Sequence, residues 1–321
     1  MKEDLIKIMA QKINKNYGIS VYSGTLAIES ALKCLEISSQ DKVLISSTVC
    51  YSIFEAIIHI GAIPIIYTPK NGFNLSEKDI IDAFLMEPDI KCIILVHQYG
   101  LVQKIKGIRE VAKNIPIIED IAQAWNIILN DEKIGEYSDI VVTSFGKTKP
   151  ISLGYGGALF SNINYSDKFD FYDNESRKKQ HSLLPYTFDL SYIDANQLLN
   201  NANKIVQHQR NIAKELLDCF CDFDSIYCII DSGDDCSVWH RYPIRINNAE
   251  LYEKLILNLD ELNIKYQLPH DKELFELDMV KNSNAIIYNK NFIKYNWILI
   301  RTRTNKIDNI RLLKERIKGD I

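Results

Sequence analysis

The residues best suited to covalent chemistry lie in one stretch, residues 143–157, which reads T-S-F-G-K-T-K-P-I-S-L-G-Y-G-G. An apolar run at 140–142 leads into Ser144, and Lys147 and Lys149 follow before a glycine cluster. A strand ending here would deliver a hydroxyl and an amine into a pocket, and the glycines would let the backbone approach a ligand. A desolvated lysine amine loses its proton readily and can attack a carbonyl carbon. The alternative is a surface loop with two solvated lysines.

A second motif, Ser23-Gly24-Thr25, precedes a segment whose apolar spacing predicts a helix over residues 26–35. Small residues at a helix start expose backbone N–H groups and the positive end of the helix dipole, which together bind phosphate well. Ser23 or Thr25 would serve equally well as a plain helix N-cap.

A third motif follows a short apolar strand predicted over residues 115–118. Glu119 and Asp120 come next, and Gln123 lies three residues after Asp120. Ligands of open parallel sheets bind at the carboxyl ends of the strands, and an acid there can hold a cationic ring nitrogen. Helix capping by Asp120 is the alternative. Glu119 is predicted to point the other way, as a structural charge.

These motifs supply an anion seat, an acid and a lysine, in that order along the chain. Pyridoxal 5'-phosphate (PLP) needs those three groups, for its phosphate, its ring nitrogen and its aldehyde. The sequence therefore predicts a PLP site and no metal site.

At this point the chain resembles the DegT-type, or sugar-aminotransferase, family of fold-type I PLP enzymes. The resemblance runs from about residue 21 to residue 162, with a weaker echo over 185–320. The motifs that carry it are S-G-T at 23–25, V-H-Q-Y-G at 96–100, E-D-x-A-Q at 119–123 and S-F-x-x-x-K-x4-G-x-G-G at 144–157.

The resemblance implies a role for each matching residue. Lys149 resembles the catalytic lysine that binds the cofactor aldehyde and moves a proton, whereas Lys147 does not match that position. Asp120 resembles the partner of the ring nitrogen, and Gln123 the residue that bonds the phenolic oxygen. The implied phosphate ligands are Gly24, Thr25 and Ser144. Family members mostly take the amino group from glutamate, pass it to a nucleotide-linked keto-sugar in surface-polysaccharide or secondary-metabolite synthesis, and form homodimers.

The chain departs from the family pattern at several positions. Cys50 stands where an aromatic residue usually stacks on the cofactor ring, with Tyr51 beside it. Thr187 is the nearest match to the Asn that a neighbouring subunit commonly gives to the phosphate, and the lead before Ser23 is short. The short lead and Cys50 keep open a non-catalytic member with a regulatory or binding role. A dehydration on the same scaffold is the other alternative. Dehydratases of this kind carry histidine in place of the lysine, so Lys149 favours transamination.

Five further residues are candidates without a motif to assign them. His97 ends a strand and either packs over the site or is a hydrogen-bonded structural residue. Arg241, Arg245, Arg301 and Arg303 could grip a carboxylate or phosphate of a substrate, and each is otherwise a surface charge.

The first half of the chain alternates short Ile/Val/Leu-rich runs with amphipathic helical runs. This pattern predicts an α/β fold with a mainly parallel sheet covered by helices on both faces, here a fold-type I PLP transferase. A polar, aperiodic segment at 162–182 predicts an irregular excursion that could contact a partner, and a long helix over 193–219 predicts a connector. We expect a large PLP-binding domain over 1–190 and a smaller C-terminal α+β domain over 191–321.

Composition narrows the remaining classes. The 321 residues are 25% charged with a net charge of −4 and no basic block, which argues against nucleic acid as a partner. No apolar run is long enough to span a bilayer and the N-terminus has no signal-like core, so we expect a cytoplasmic protein without a membrane partner. The seven cysteines form no C-x-x-C pair, which favours free thiols over a zinc site.

Overall fold

The computed structural model describes residues 4–130, 132–170, 190, 193–231, 236–268, 274, 277–288 and 297–319. The helices are Leu5–Lys12 (α1), Gly24–Cys34 (α2), Tyr51–His59 (α3), Glu77–Met86 (α4), Lys106–Ala112 (α5), Ser166–Asp170 (α6), Ala195–Phe220 (α7), Ala249–Glu261 (α8), Asp278–Lys281 (α9) and Ile307–Gly319 (α10). The strands are Tyr17–Val21 (β1), Lys42–Ser46 (β2), Ile63–Tyr67 (β3), Ile90–Val96 (β4), Ile117–Asp120 (β5), Ile140–Ser144 (β6), Gly157–Ser161 (β7), Ile226–Cys228 (β8), Arg241–Ile246 (β9), Tyr266–Gln267 (β10), Ile286–Tyr288 (β11) and Trp297–Arg301 (β12).

The first sheet has eight strands in the order β1-β7-β6-β5-β4-β2-β3-β11. The strands from β6 to β11 in this order run parallel, and β7 runs antiparallel to both of its neighbours, β1 and β6. The predicted α/β class with a mainly parallel sheet is therefore confirmed.

Helices cover both faces of this sheet. Val43 and Ile45 of β2 point into a core built with α2 and α3, whereas Leu44 points into a second core built with α4 and α5. Because both faces are buried, the strands read as continuous apolar runs instead of alternating ones. The result is a rigid layer whose strand ends hold the candidate site.

The second sheet is antiparallel, in the order β10-β12-β9-β8, and packs against α8, α10 and the C-terminal half of α7. The N-terminal half of α7 packs instead against α1 and the first sheet. This long helix therefore links the two sheets, as its connector pattern predicts. The domain boundary near residue 190 stays a prediction, and β11 of the later half pairs with β3 of the first sheet.

Several elements differ from the sequence expectations. Strand β5 extends to Asp120, beyond the predicted end at residue 118. The segment 162–182 is predicted to be irregular, and this is wrong near its start, where helix α6 forms. Residues 171–189 lie outside the described part of the chain.

Two features are absent from the described residues, a membrane-spanning helix and a metal-binding group. None of the helices there is both long and apolar enough to pass through a membrane. In the same residues, no group of three or more His, Cys, Asp or Glu side chains is arranged to hold a metal ion.

Candidate active site

The carboxyl ends of three parallel strands meet at one edge of the first sheet. Val96 of β4 pairs with Asp120 of β5, and Asp120 pairs with Val142 of β6, which places the three Cα atoms in one row. Strand β6 continues for two more residues to Ser144. The motifs around Asp120 and Ser144 are therefore neighbours in space, at the edge where open α/β sheets bind ligands.

Asp120 is a buried carboxylate, with a side chain held by a hydrogen bond of 2.8 Å from the Ala122 N–H to Oδ1. Burial raises the pKa of this carboxyl, while the Ala122 N–H, the Lys149 amine and His97 act in the opposite direction. The Asp120 carboxylate thus lies within electrostatic reach of Lys149, in surroundings that disfavour its charge unless a further cation is supplied.

Glu119 points away from Asp120 into the scaffold, as predicted for a structural charge. Its Oε1 lies 3.0 Å from His97 Nε2, and its Oε2 accepts from the Gly135 N–H at 2.9 Å and the Ser138 hydroxyl at 2.7 Å. His97 Nδ1 accepts from the Gln103 N–H at 3.1 Å, so the ring proton is on Nε2 and is donated to Glu119. Both nitrogens of His97 are therefore used within the fold, which agrees with the structural interpretation of this residue.

The turn after β6 separates the two lysines. Lys149 is half-buried and Lys147 is exposed. The backbone of this turn is closed by a hydrogen bond from the Lys149 N–H to the Gly146 carbonyl at 3.0 Å. Lys149 is the lysine that acts electrostatically on the Asp120 carboxyl. Lys149, and not Lys147, is therefore the lysine whose charge is felt by the strand-end acid.

Gly24 and Ser144 meet at the N-terminus of α2. Ser23 is the N-cap, with its hydroxyl accepting from the Leu26 N–H at 3.1 Å, and Gly24 and Thr25 are the first two helical residues. Their amides are among the first-turn donors that lack a partner within the helix. A Cβ atom at Gly24 would lie 2.8 Å from Ser144 Cβ and 3.2 Å from its hydroxyl oxygen, so only glycine leaves room there. The helix start and the strand end thus form one cradle suited to an anion.

Replacing Gly24 by alanine should disturb this cradle. The added methyl group overlaps Ser144 close to its backbone, so we expect a loss of about 1–3 kcal/mol in the free energy of unfolding. We also expect weaker PLP affinity, measured by titrating the absorbance of the bound cofactor. The matched control is Gly146→Ala in the turn after β6, where the new Cβ would lie 3.5 Å from the Ser144 hydroxyl oxygen and should change the Tm little. Equal Tm values for the two variants would contradict the close packing.

Gly157, behind Lys149, lets two strands pack closely. A Cβ at Gly157 would lie 2.7 Å from both the Ser23 and Thr143 carbonyl oxygens. Gly157 therefore lets β7 enter between the end of β1 and β6. A Cβ at Gly154, by contrast, would meet no described atom within 4 Å, and the expected approach of a ligand to this cluster stays a prediction.

For the other predicted cofactor residues that it describes, the structure gives a position in the fold and an exposure but no hydrogen bond to Asp120 or Lys149. Gln123 is half-buried in the turn after Asp120, and Thr25 is half-buried at the start of α2. Cys50 is exposed at the N-cap of α3, where its side chain makes no capping hydrogen bond. Their roles toward a cofactor stay predictions. Thr187 lies outside the described residues.

The structure adds basic residues that no motif selected. The Arg303 Nη1 atom donates to the Lys149 carbonyl at 2.8 Å, although the two residues are 154 positions apart. His240 is buried, and its pKa is lowered well below the ordinary value by burial and then by Arg241, Lys149, Arg303 and Arg301. The three arginines are among the candidates named from the sequence, and His240 is the residue that the structure adds to them.

Comparison with known proteins decides the family. The model of the DegT/DnrJ/EryC1/StrS aminotransferase family matches residues 2–288. The chain belongs to this family.

Two relatives and one solved structure illustrate the likeness. The chain is 33% identical over 145 residues to UDP-N-acetyl-3-dehydro-alpha-D-glucosamine 3-aminotransferase of Acidithiobacillus ferrooxidans, over 44% of this chain and 39% of that protein. It is 31% identical over 267 residues to dTDP-3-amino-3,4,6-trideoxy-alpha-D-glucose transaminase of Micromonospora megalomicea subsp. nigra, over 78% and 71%. The crystal structure of S. venezuelae DesV superposes with a TM-score of 0.82 at 19% identity, over 98% of this chain and 87% of that one.

The alignments to several other DegT relatives are partial. The chain spans 39%, 58% and 30% of the length of three curated relatives that it matches. The likeness to DesV, at 19% identity, concerns the fold alone.

Proposed function

We propose that this protein is a PLP-dependent aminotransferase that takes an amino group from glutamate and passes it to a nucleotide-linked keto-sugar. The observation that carries the proposal is the buried Asp120 carboxylate within electrostatic reach of the half-buried Lys149 amine. Membership of the aminotransferase family supports the reaction class. The names of the relatives, which act on UDP- and dTDP-linked sugars, support the acceptor and a place in polysaccharide or antibiotic-type synthesis.

The residues fit PLP on three grounds. The Gly24–Ser144 cradle at the start of α2 suits a phosphate, because it combines first-turn amides that have no partner within the helix with the positive end of the helix dipole. Burial raises the pKa of Asp120 and so disfavours its charged form, and a cationic ring nitrogen beside it would stabilise that charge. Lys149 supplies the amine for the aldehyde. When bound, PLP would act as an electron sink for the substrate carbon.

The chain's own residues then have distinct tasks. Ser144, Gly24 and Thr25 would fix the phosphate end of the cofactor, and Asp120 would keep the ring nitrogen protonated. The Lys149 amine would move a proton to and from the reacting carbon as a general base and then acid. The hydrogen bond from Arg303 to the Lys149 carbonyl holds the backbone of that lysine while its side chain moves.

The deciding test is optical and needs no acceptor. Purified protein supplied with PLP should be yellow, and adding glutamate should shift the visible absorbance while releasing an equivalent amount of 2-oxoglutarate. Keto-sugar nucleotides and simple keto acids, offered next as acceptors, should restore the first spectrum only where the acceptor is used. A colourless protein that ignores added PLP would contradict the proposal and favour a non-catalytic role. Release of an unaminated deoxy-sugar would favour dehydration.

The proposed working unit is a homodimer, which the family resemblance implies. Sedimentation analysis of the PLP-loaded protein should give a mass twice the 37.0 kDa of the chain.

A further inference from the structure

Two arginines lie directly opposite one another on neighbouring strands of the second sheet. Arg241 begins β9 and Arg301 ends β12, and the antiparallel register pairs their Cα atoms. Residues paired in this way have Cβ atoms about 4.5–5.5 Å apart on one face, and like charges so placed destabilise a sheet. The pair therefore calls for a source of compensation outside the sheet.

The face that bears this pair is turned toward the first sheet. Side chains alternate along a strand, so Arg301 shares its face of β12 with Trp297. The Trp297 ring packs on the Phe73 ring with their centroids 4.8 Å apart, and the Phe73 ring packs on the Tyr99 ring with their centroids 5.0 Å apart. Phe73 follows β3 and Tyr99 follows β4, so the two arginines face the loops at the strand ends where Asp120 and Lys149 lie.

Two further residues extend the pair toward Lys149. The Arg241 Nη1 atom donates to the carbonyl of the buried His240 at 2.8 Å, and Arg303 donates to the Lys149 carbonyl. His240 Nδ1 has no hydrogen-bond partner among the described residues, although it is buried. Arg241, Arg301, Arg303 and His240 are called the cationic cluster below.

No carboxylate of the described residues balances the charge of this cluster. Other arginines of the chain form ion pairs, such as Arg109 with Asp139 and Arg311 with Glu215. Within the described part of the chain, by contrast, Arg241, Arg301 and Arg303 have no carboxylate in ion-pair distance. Burial, and then the charge of Arg301, lower the pKa of Arg241 to about 10, as expected for a desolvated cation without a counter-ion.

We propose that the cationic cluster binds an anionic oxygen group of the substrate that reacts at Lys149, either a carboxylate or a phosphoryl group. Guanidinium groups bind both through paired N–H donors. The inference rests on the proposed function, which supplies a source for each: the carboxylates of the amino donor, or the diphosphate of a nucleotide-linked acceptor. The unpaired His240 Nδ1 would gain a partner from the same ligand or from a water beside it.

Calorimetric titration of the PLP-loaded full chain tests the site without turnover. Glutarate serves as a non-reacting dicarboxylate and UDP as the diphosphate. We expect one of them to bind, and Arg301→Met to weaken that binding about tenfold or more, because the variant lacks a charged hydrogen-bond donor to the ligand. Arg301 is exposed, so this variant should keep its fold, which the Tm checks. Arg311→Met removes the same charge from α10, which packs against the second sheet, and this variant should bind the ligand as the wild type does.

The two ligands separate the sources. Arginine-dependent binding of glutarate assigns the cluster to the amino donor, and arginine-dependent binding of UDP assigns it to the acceptor. If neither ligand binds, or if Arg301→Met binds both as the wild type does, the inference is wrong. Failure of the optical test with glutamate, together with retained arginine-dependent binding, would remove the proposed reaction and leave the anion site standing.

Discussion

Lys149→Ala should change the visible absorbance of the PLP-loaded protein from that of a lysine-bound cofactor to that of the free aldehyde, and should lower transamination by at least about a thousandfold, since proton transfer by one positioned side chain is alone worth about 10²–10⁴. The physical reason is position. Lys149 is half-buried and acts on the Asp120 carboxyl, whereas Lys147 is exposed. Lys147→Ala is the matched control, and we expect it to keep both the spectrum and the activity.

The covalent attachment can be located directly. Borohydride reduction should fix the cofactor to one lysine, and fragmentation of the peptide around residues 145–156 should place it on Lys149. The loss of the side chain should leave the fold intact, because Arg303 bonds to the backbone carbonyl of Lys149 and not to its amine. A reduced adduct on Lys147, or a lysine adduct that borohydride still fixes in Lys149→Ala, would contradict the assignment.

Asp120→Asn should have opposite effects on activity and on stability. Without the carboxylate the ring nitrogen loses its anionic partner, and we expect turnover to fall by about 10²–10³-fold, the usual cost of removing one preorganised electrostatic partner. In the cofactor-free protein the same change removes a buried charge whose Ala122 hydrogen bond the asparagine oxygen can still accept. The cofactor-free variant should therefore be more stable than the wild type at neutral pH.

The pH dependence of this gain has a definite sign. The pKa of Asp120 is raised by burial, so the folded protein holds its proton at a pH where the unfolded chain has lost it. Asp120 therefore contributes nothing unfavourable in strong acid and becomes increasingly destabilising as pH rises through its folded pKa. The stability gap between variant and wild type should grow over that window, by about 1.4 kcal/mol per unit of pKa shift, and then level off. Denaturant titrations at several pH values measure it.

Glu119 provides the control for this second prediction. It is also a buried carboxylate, but its oxygens accept from His97, Gly135 and Ser138. Glu119→Gln replaces an acceptor by an amide donor and should lower stability at neutral pH by about 1–3 kcal/mol. If Asp120→Asn also destabilises the cofactor-free protein at neutral pH, the fold itself compensates the Asp120 charge, and the argument for a missing cation is lost.

Many of the strands could be predicted from local patterns. Strands β3, β4 and β12 can be recognised in this way, because each is an apolar run closed by polar or turn-forming residues. Strand β7 and the short β11 could not be recognised, since a run of three to five apolar residues does not reveal which partners it will pair with. The predicted end of strand β5 is two residues early because its last two positions are acids. Their burial in the fold explains why carboxylates lie inside a strand.

The sequence by itself determined the chemical inventory and its order: a helix start with small residues, a strand-end acid, and a strand-end serine with a lysine five positions later. These are local properties, set by residue type, periodicity and the ends of elements. Tertiary structure alone decided that Lys149 and not Lys147 lies near Asp120, that Gly24 meets Ser144, and that Arg241 is paired with Arg301. Those contacts join segments far apart in the chain, and they depend on strand register and on which face of a sheet is buried, neither of which is encoded in any short window of residues.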